Sequence, residues 1–150
     1  MPDRFVVVPA SYLYLLRDGE QGTEVLLQLR EGTGYMDGFW AAAAAGHVER
    51  GETATAAAAR EAAEELGISA VDLTFELTMQ RTARAAAVDE RVDFFFSART
   101  WSGEPALMEP DKAAELRWFP LTALPEATVP HERVAIAHLG GDTRFLALGF

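Results

Sequence analysis

Residues 46–68, with the sequence GHVERGETATAAAAREAAEELGI, constrain the fold of this chain more than any other stretch. The alanine-rich part predicts a helix that starts after Thr53, a favourable N-cap residue, and stops at Gly67, which suits the left-handed position after many helices. At about 100° per residue, three glutamates of this helix fall within one sector of roughly 100°. They are Glu61, Glu64 and Glu65. The stretch therefore predicts a helix with one strongly acidic face.

Three like charges on one helical face allow two interpretations. Such charges repel each other on a bare helix, and an acidic face of this kind is most often simply solvated. The alternative is a site for a hard divalent cation, because Mg²⁺ takes oxygen ligands and favours clustered carboxylates. The opposite face should let the helix lie close against a sheet, since its residues are small or apolar. These residues are Ala59, Ala62, Ala63 and Leu66.

The remaining chain predicts strands on both sides of this helix. Apolar, β-branched and aromatic runs predict a hairpin over residues 5–17 and 24–30, two strands over 73–84 and 91–101, and one over 115–119. The alanines of residues 41–45 favour a short strand, because the run is too short for a helix between its aromatic and glycine neighbours. Pro130 marks the start of a second helix, which ends before Gly140. We expect an α/β fold with a mixed sheet covered by helices, in a single domain over residues 1–150.

Charge and composition exclude several functional classes. The formal net charge of −10 argues against binding to a nucleic-acid polymer, which needs a basic surface. The absence of cysteine fits a reducing cytoplasm. The N-terminus lacks the pattern of a signal peptide, and no apolar run approaches the ~20 residues of a membrane span. We therefore expect a cytoplasmic monomer or homodimer that binds neither a nucleic-acid polymer nor a membrane.

The spacing within residues 46–68 resembles the signature of the Nudix hydrolases. That signature is a glycine, five residues, a glutamate, seven residues, Arg-Glu, an apolar residue, any residue, Glu-Glu, any residue, a glycine and an apolar residue. Its fixed positions are matched by Gly46, Glu52, Arg60, Glu61, Ala62, Glu64, Glu65, Gly67 and Ile68. The later stretch MEPDK is similar to a segment of MutT-type members, which act on nucleoside triphosphates, including oxidised guanine nucleotides. Residues 43–45 depart from the family, since they are alanines where many relatives have Leu-Pro-Gly.

The resemblance implies an α/β/α sandwich with a mixed sheet, in which the signature forms a loop–helix–loop. It implies a pyrophosphohydrolase that uses Mg²⁺, for which Mn²⁺ can substitute. By position, the metal ligands would be the carboxylates of Glu61, Glu64 and Glu65 and the carbonyl of Gly46. Glu52 and Arg60 would form an internal ion pair that orients the helix and so supports the metal ligands.

The proton acceptor stays open at this point. A bound metal offsets phosphate charge and activates a water molecule, whose proton a carboxylate must accept. Glu64 is one candidate, and two glutamates outside the signature, Glu115 and Glu132, are others. We assign Glu109 to loop structure, and we expect His47 to be structural or to lie near the phosphates.

Three hypotheses describe the substrate. The first is a nucleoside triphosphate, which would be cleaved to a monophosphate and pyrophosphate. The second is ADP-ribose, a nucleotide sugar or a dinucleoside polyphosphate. The third is nucleotide binding without cleavage, which the intact signature carboxylates disfavour. The candidate substrate-binding residues are Arg30, Trp40, Arg81, Phe94 and Glu115. His131 is expected on the surface, with a contact to the nucleotide base as the alternative.

Overall fold

The structure is a computed structural model that describes residues 3–150, and it contains a mixed eight-stranded sheet and two α-helices. In chain order the elements are β1 (Val8–Gly19), β2 (Gly22–Arg30), β3 (Trp40–Ala42), β4 (Ala44–His47), α1 (Ala54–Leu66), β5 (Thr74–Arg81), β6 (Arg91–Ala98), β7 (Ala113–Pro120), α2 (Pro130–Ile136) and β8 (Phe145–Leu148). No helix within residues 3–150 is long and apolar enough to cross a membrane.

Strand β1 lies at the centre of the sheet. Its first half pairs antiparallel with β4 and parallel with β6, and its end forms the predicted hairpin with β2. The order through the sheet is β3-β2-β1-β6-β5-β8, and β7 pairs with β2 beside this path. The β1–β6 and β5–β8 pairs are parallel and the others antiparallel, so the prediction of a mixed sheet is confirmed.

The two faces of β1 belong to two separate cores. Leu13 and Leu15 pack on one face against buried residues of α1, whereas Tyr12 and Tyr14 point to the other face, where α2 packs. This division follows from the alternation of side chains along a strand. The sheet therefore lies between helices, and the predicted α/β/α sandwich is confirmed.

Helix α1 has the predicted limits. The Thr53 hydroxyl accepts a hydrogen bond of 3.0 Å from the Ala56 N–H, and Gly67 adopts a left-handed conformation with φ of 68°. Its buried face differs from the prediction, because Ala59 and Ala63 are exposed. The buried residues are Ala57, Ala58, Ala62 and Leu66. Because the buried arc is rotated toward Glu61 and Glu65 relative to the predicted one, these acidic side chains border the buried face instead of lying opposite it.

The alanine run and the C-terminal segment complete the sheet. Residues 41–45 are extended as predicted, but they form the ends of two short strands, β3 and β4, on either side of Ala43. Residues 41–44 are at most 3% exposed, because the sheet and helices enclose them on both faces. The C-terminal strand β8 pairs in parallel with β5. The residue after β8 also contacts the loop after β5, since the Arg84 Nε donates to the Gly149 carbonyl at 3.0 Å.

Candidate active site

The close contact between the main chain at position 46 and helix α1 requires a glycine. Gly46 lies in β4 opposite Ser11 of β1, and the carboxylate of Glu61 reaches back from α1 to rest against it. A Cβ atom at position 46 would lie only 2.1 Å from Glu61 Oε1. The missing side chain therefore creates the space in which the main chain and a helix carboxylate meet.

Arg60 connects helix α1 with the loop before it. Its Nε and Nη2 donate to Glu52 at 2.7 and 3.0 Å, and Nη2 also donates to the His47 carbonyl at 3.1 Å. The hydrogen bonds from Arg60 hold the pKa of Glu52 down at about 2. On its other side, Arg60 Nη1 lies 2.8 Å from Glu61 and 3.3 Å from Glu64. The Glu52–Arg60 ion pair thus fixes α1 relative to β4.

Burial makes two of the signature glutamates weak acids. Removal from water raises the pKa of Glu61, and it raises that of Glu65 to about 8 although the Ala45 N–H donates to Glu65 at 2.7 Å. The negative charge of Glu109, from the loop before β7, adds to both increases. Glu109 was expected to serve only loop structure, but its carboxylate lies close enough to this cluster to affect both groups.

The donor set at this cluster suits a hard divalent cation. It consists of carboxylate oxygens and the main chain at Gly46, and the close approach of Glu61 to that glycine brings two donor types together. Within residues 3–150, no three carboxylate or imidazole groups already converge on one point. Arg60 Nη1 donates to Glu61 and Glu64, and the Ala45 N–H donates to Glu65.

A cavity of about 500 Å³ opens beside this cluster, on the α2 side of the sheet. Gly46 and Glu65 lie at one side of it, and α2 contributes the opposite side. Among its lining residues are Arg30, Arg81, Arg91 and Glu132. This volume lies within the usual range of binding sites for small molecules, which is roughly 300–1,000 Å³.

A buried carboxyl group is among the residues that line the cavity. Glu132 is 3% exposed, and its Oε1 accepts hydrogen bonds of 2.7 Å from both the Tyr14 hydroxyl and the Ala42 N–H. Burial raises its pKa to about 7 in spite of these donors. Its neighbour His131 is also buried, and burial lowers the pKa of its imidazole to about 3, so the ring is neutral and lies 3.1 Å from the Tyr12 hydroxyl.

An arginine–aspartate pair supports the other side of the cavity. Arg81 of β5 donates to Asp93 of β6 at 2.5 Å, and Arg81 Nη2 lies 3.3 Å from the Tyr12 hydroxyl. Asp93 is fully buried, and its second oxygen has no hydrogen-bond partner among the described residues. The pair therefore holds the guanidinium of Arg81 at the cavity wall.

Comparison with known proteins agrees with this geometry. Residues 8–139 match the NUDIX domain family. The chain belongs to the Nudix family. A MutT NUDIX hydrolase from Burkholderia pseudomallei has the same fold with a TM-score of 0.78 and 29% identity, covering 89% of this chain and 98% of that one. The family and this structure together support an enzyme that hydrolyses pyrophosphate bonds, and Nudix enzymes generally use a divalent metal ion.

Two further relatives differ in what their names describe. An isopentenyl-diphosphate Delta-isomerase from Jannaschia sp. (strain CCS1) is 31% identical over 118 residues, which cover 77% of this chain and 65% of the isomerase. The Nudix chain thus spans about two-thirds of the length of that relative. The NUDIX domain of Shewanella oneidensis NrtR, whose structure was determined with ADP ribose, has a TM-score of 0.67 at 18% identity, covering 88% of this chain and 86% of that one. That likeness shows the fold alone.

The structure brings only two of the five predicted substrate-binding residues to the cavity. Arg30 and Arg81 line it. Trp40 instead packs in the core with its ring 4.8 Å from that of Phe119, and Glu115 lies on β7 paired with an arginine of the same strand. Phe94 points to the α1 side, because the side chains of β6 alternate and Asp93 takes the cavity side. These three residues are therefore not among those that line the cavity.

Several residues of the cavity were missed or misplaced by the sequence analysis. His131 is buried at the cavity, where the sequence analysis expected a surface position. Tyr12 lines the cavity and was assigned only to a strand. Asp93 carried a usable signal, since it is a lone acidic residue in the apolar run VDFFF of β6. A charge in the middle of a buried strand needs a partner, and its partner proved to be Arg81.

The buried carboxyl of Glu132 should make stability depend on pH. Because burial raises its pKa from 4.5 to about 7, the stability it contributes is full below about pH 4.5 and is lost as the pH rises through 7. Glu132→Gln removes this titration and keeps an oxygen acceptor. Relative to wild type, the variant should gain free energy of unfolding between pH 4.5 and 8, on the order of 3 kcal/mol.

Urea unfolding at several pH values measures this difference. The contribution of Glu65 is common to both proteins and cancels. The matched control is Glu126→Gln, because Glu126 lies exposed in the loop before α2. An identical dependence on pH in wild type and Glu132→Gln would contradict the assignment of a raised pKa to Glu132.

Proposed function

We propose that this protein hydrolyses a nucleoside triphosphate to a monophosphate and pyrophosphate, with Mg²⁺ bound by Glu61, Glu64, Glu65 and the carbonyl of Gly46. One observation carries the proposal: a single cavity joins the signature residues Gly46 and Glu65 to arginines and to a buried polar floor. Such a cavity can hold a polyphosphate beside the carboxylates and a base or sugar further inside. The absence of cysteine supports activity in the cytoplasm, with residues 1–150 acting as one domain.

The metal would supply a charge that offsets the phosphate oxygens and lowers the pKa of a bound water molecule. The protein positions the groups around it. Arg60 keeps α1 against β4 through Glu52 and the His47 carbonyl, so the carboxylates stay beside Gly46. A carboxylate then accepts the proton of the attacking water. Glu64 is our first candidate because its side chain is 56% exposed, and Glu109 and Glu132 are the alternatives that the structure leaves near the site.

The remaining cavity residues would hold the nucleotide. The guanidinium groups of Arg30 and Arg81 offer charged donors to phosphate oxygens, which arginine binds well because of its planar fork. Glu132 has both donors on Oε1, which leaves Oε2 to face the cavity for a polar group of the substrate. A small nucleotide thus fits the shape and the charge of this side of the sheet.

The isomerase relatives suggest a second candidate reaction. Their names describe the isomerisation of isopentenyl diphosphate, and each is 31% identical to this chain over the matched residues. ADP-ribose and related compounds remain within the proposed hydrolytic chemistry. Binding without cleavage is disfavoured because all the signature carboxylates are present.

Incubation with Mg²⁺ in ¹⁸O-labelled water distinguishes these functions. The panel contains nucleoside triphosphates, ADP-ribose and isopentenyl diphosphate. Chromatography separates isomers, and mass spectrometry of the separated products identifies them. We expect a nucleoside monophosphate and pyrophosphate, with one ¹⁸O atom in one of them. Turnover of ADP-ribose alone would reject the triphosphate, an isomerised diphosphate of unchanged mass would favour the isomerase, and no turnover at all would reject an enzyme for these substrates.

A further inference from the structure

Arg91 is a cationic residue of the cavity that has no role in the proposed reaction as described above. It begins β6 and lines the cavity, where its Nη1 lies 3.2 Å from His47 Nε2 and its Nε donates to the Val88 carbonyl at 2.5 Å. Within residues 3–150 it forms no ion pair with a carboxylate. In a protein of net charge −10, an arginine without an acidic partner is a group available to an anion.

The sheet register places a second arginine directly opposite. Arg81 and Arg91 are cross-strand partners in the antiparallel pair β5–β6, so their side chains leave the same face of the sheet. Like charges in directly opposite positions destabilise a sheet unless something offsets them. Asp93 also points to this face and pairs with Arg81. Because Asp93 pairs with Arg81, the guanidinium of Arg91 is left without a carboxylate partner among the described residues.

The position of His47 connects this charge to the signature. His47 directly follows Gly46 in β4, and its ring nitrogen contacts Arg91. The contact joins Nη1 of Arg91 to Nε2 of His47 at 3.2 Å, so the imidazole borders the guanidinium on the side of Gly46.

We propose that Arg91, oriented by His47, forms a subsite for the outer phosphates of the substrate, which leave as pyrophosphate. The inference deepens the proposed function and rests on it. A chain of phosphates that starts beside Gly46 passes His47 and reaches Arg91 next. The guanidinium has donors left beyond those used by Val88 and His47, and arginine can bind phosphate oxygens with two parallel hydrogen bonds. The subsite accepts pyrophosphate-type anions and gives no advantage to a nucleoside monophosphate.

Binding and kinetics of Arg91→Gln and Arg91→Lys test the subsite. Calorimetry with Mg²⁺ measures the Kd of inorganic pyrophosphate and of a nucleoside monophosphate, and steady-state assays give KM and kcat for the triphosphate. We expect Arg91→Gln to weaken pyrophosphate binding by at least about tenfold, the loss typical of a hydrogen bond to a charged group. Monophosphate binding should change by less than about threefold, and Arg91→Lys should recover part of the pyrophosphate affinity.

Arg99→Gln is the matched control, because Arg99 follows the other end of β6 and pairs at the surface with Asp18. It changes the net charge equally and should leave both dissociation constants unchanged. Equal losses for pyrophosphate and monophosphate in Arg91→Gln would show a structural role through Val88 and overturn the subsite. If Arg91→Gln keeps the pyrophosphate affinity of wild type, and wild type cleaves the triphosphate, the subsite is overturned while the proposed function stands. Wild-type protein that binds pyrophosphate through Arg91 but cleaves no nucleotide would overturn the proposed function alone.

Discussion

Replacing Glu64 with glutamine should lower kcat by about two to four orders of magnitude, the usual contribution of a proton acceptor in the transition state. The substitution removes the charge of a proposed metal ligand and also removes its basicity. The fold should survive, because the Glu64 side chain is 56% exposed and its ion pair with Arg60 is a long one of 3.3 Å. Steady-state kinetics with a nucleoside triphosphate and Mg²⁺ measures the loss, and a thermal melt checks the fold.

Glu49→Gln provides the matched control for this variant. Glu49 is another exposed glutamate beside Arg60, at 3.8 Å, and its side chain is 69% exposed. Glu49 lies outside the carboxylate cluster. The kcat of Glu49→Gln should therefore stay within about twofold of wild type, as expected for the loss of a weak surface ion pair. Activity of Glu64→Gln close to that of wild type would reject Glu64 as ligand and as base, and would direct attention to Glu109 and Glu132.

Replacing Gly46 with alanine should abolish most of the activity while it changes stability little. The added Cβ would lie 2.1 Å from Glu61 Oε1, so the carboxylate must move away from the main chain. The displaced group is the end of a flexible side chain, and a rotamer change can relieve the clash at a cost of about 1 kcal/mol. The metal geometry that depends on Glu61 and Gly46 would be lost, and we expect kcat/KM to fall by at least about a hundredfold.

Gly19→Ala separates the effect on the site from the effect on the fold. Gly19 lies at the end of β1, and a Cβ atom there would lie 2.4 Å from the carboxyl carbon of Glu24, which resembles the clash at Gly46. The hairpin is remote from the cluster, so this control should keep full activity. Mg²⁺ titration calorimetry of both variants gives a second measure. Normal metal affinity and activity in Gly46→Ala would contradict the role of the Gly46–Glu61 contact.

The features that could be predicted from the sequence depend on local rules. Helix α1 has its expected limits because a threonine cap and a left-handed glycine act on their own neighbours. Its acidic residues were expected opposite the buried face, but Glu61 and Glu65 border that face. A helical wheel gives relative angles only, and the sheet decides which side of the wheel is covered.

The features that could not be predicted depend on distant residues. The Glu132 carboxyl meets the hydroxyl of Tyr14, which is 118 residues earlier in the sequence. Phe94 and Asp93 are neighbours in the chain, but the alternation of β6 sends one to the α1 side and the other to the cavity. Periodicity identifies these two sets of residues, and it does not say which set faces a ligand. The register between strands supplies that information.

The parallel pairing of β1 with β6 has a consequence for how the chain folds. Val8 pairs with Arg91 and Leu15 with Ala98, so the central strand is complete only after more than half of the chain has been synthesised. Until then the hairpin and α1 can form locally, but their apolar faces lack the neighbours that cover them. Closure of such a long loop precedes the stabilising contacts and slows folding. The central pair therefore leaves apolar surface of the N-terminal half uncovered until β6 has been synthesised, and such surface favours aggregation.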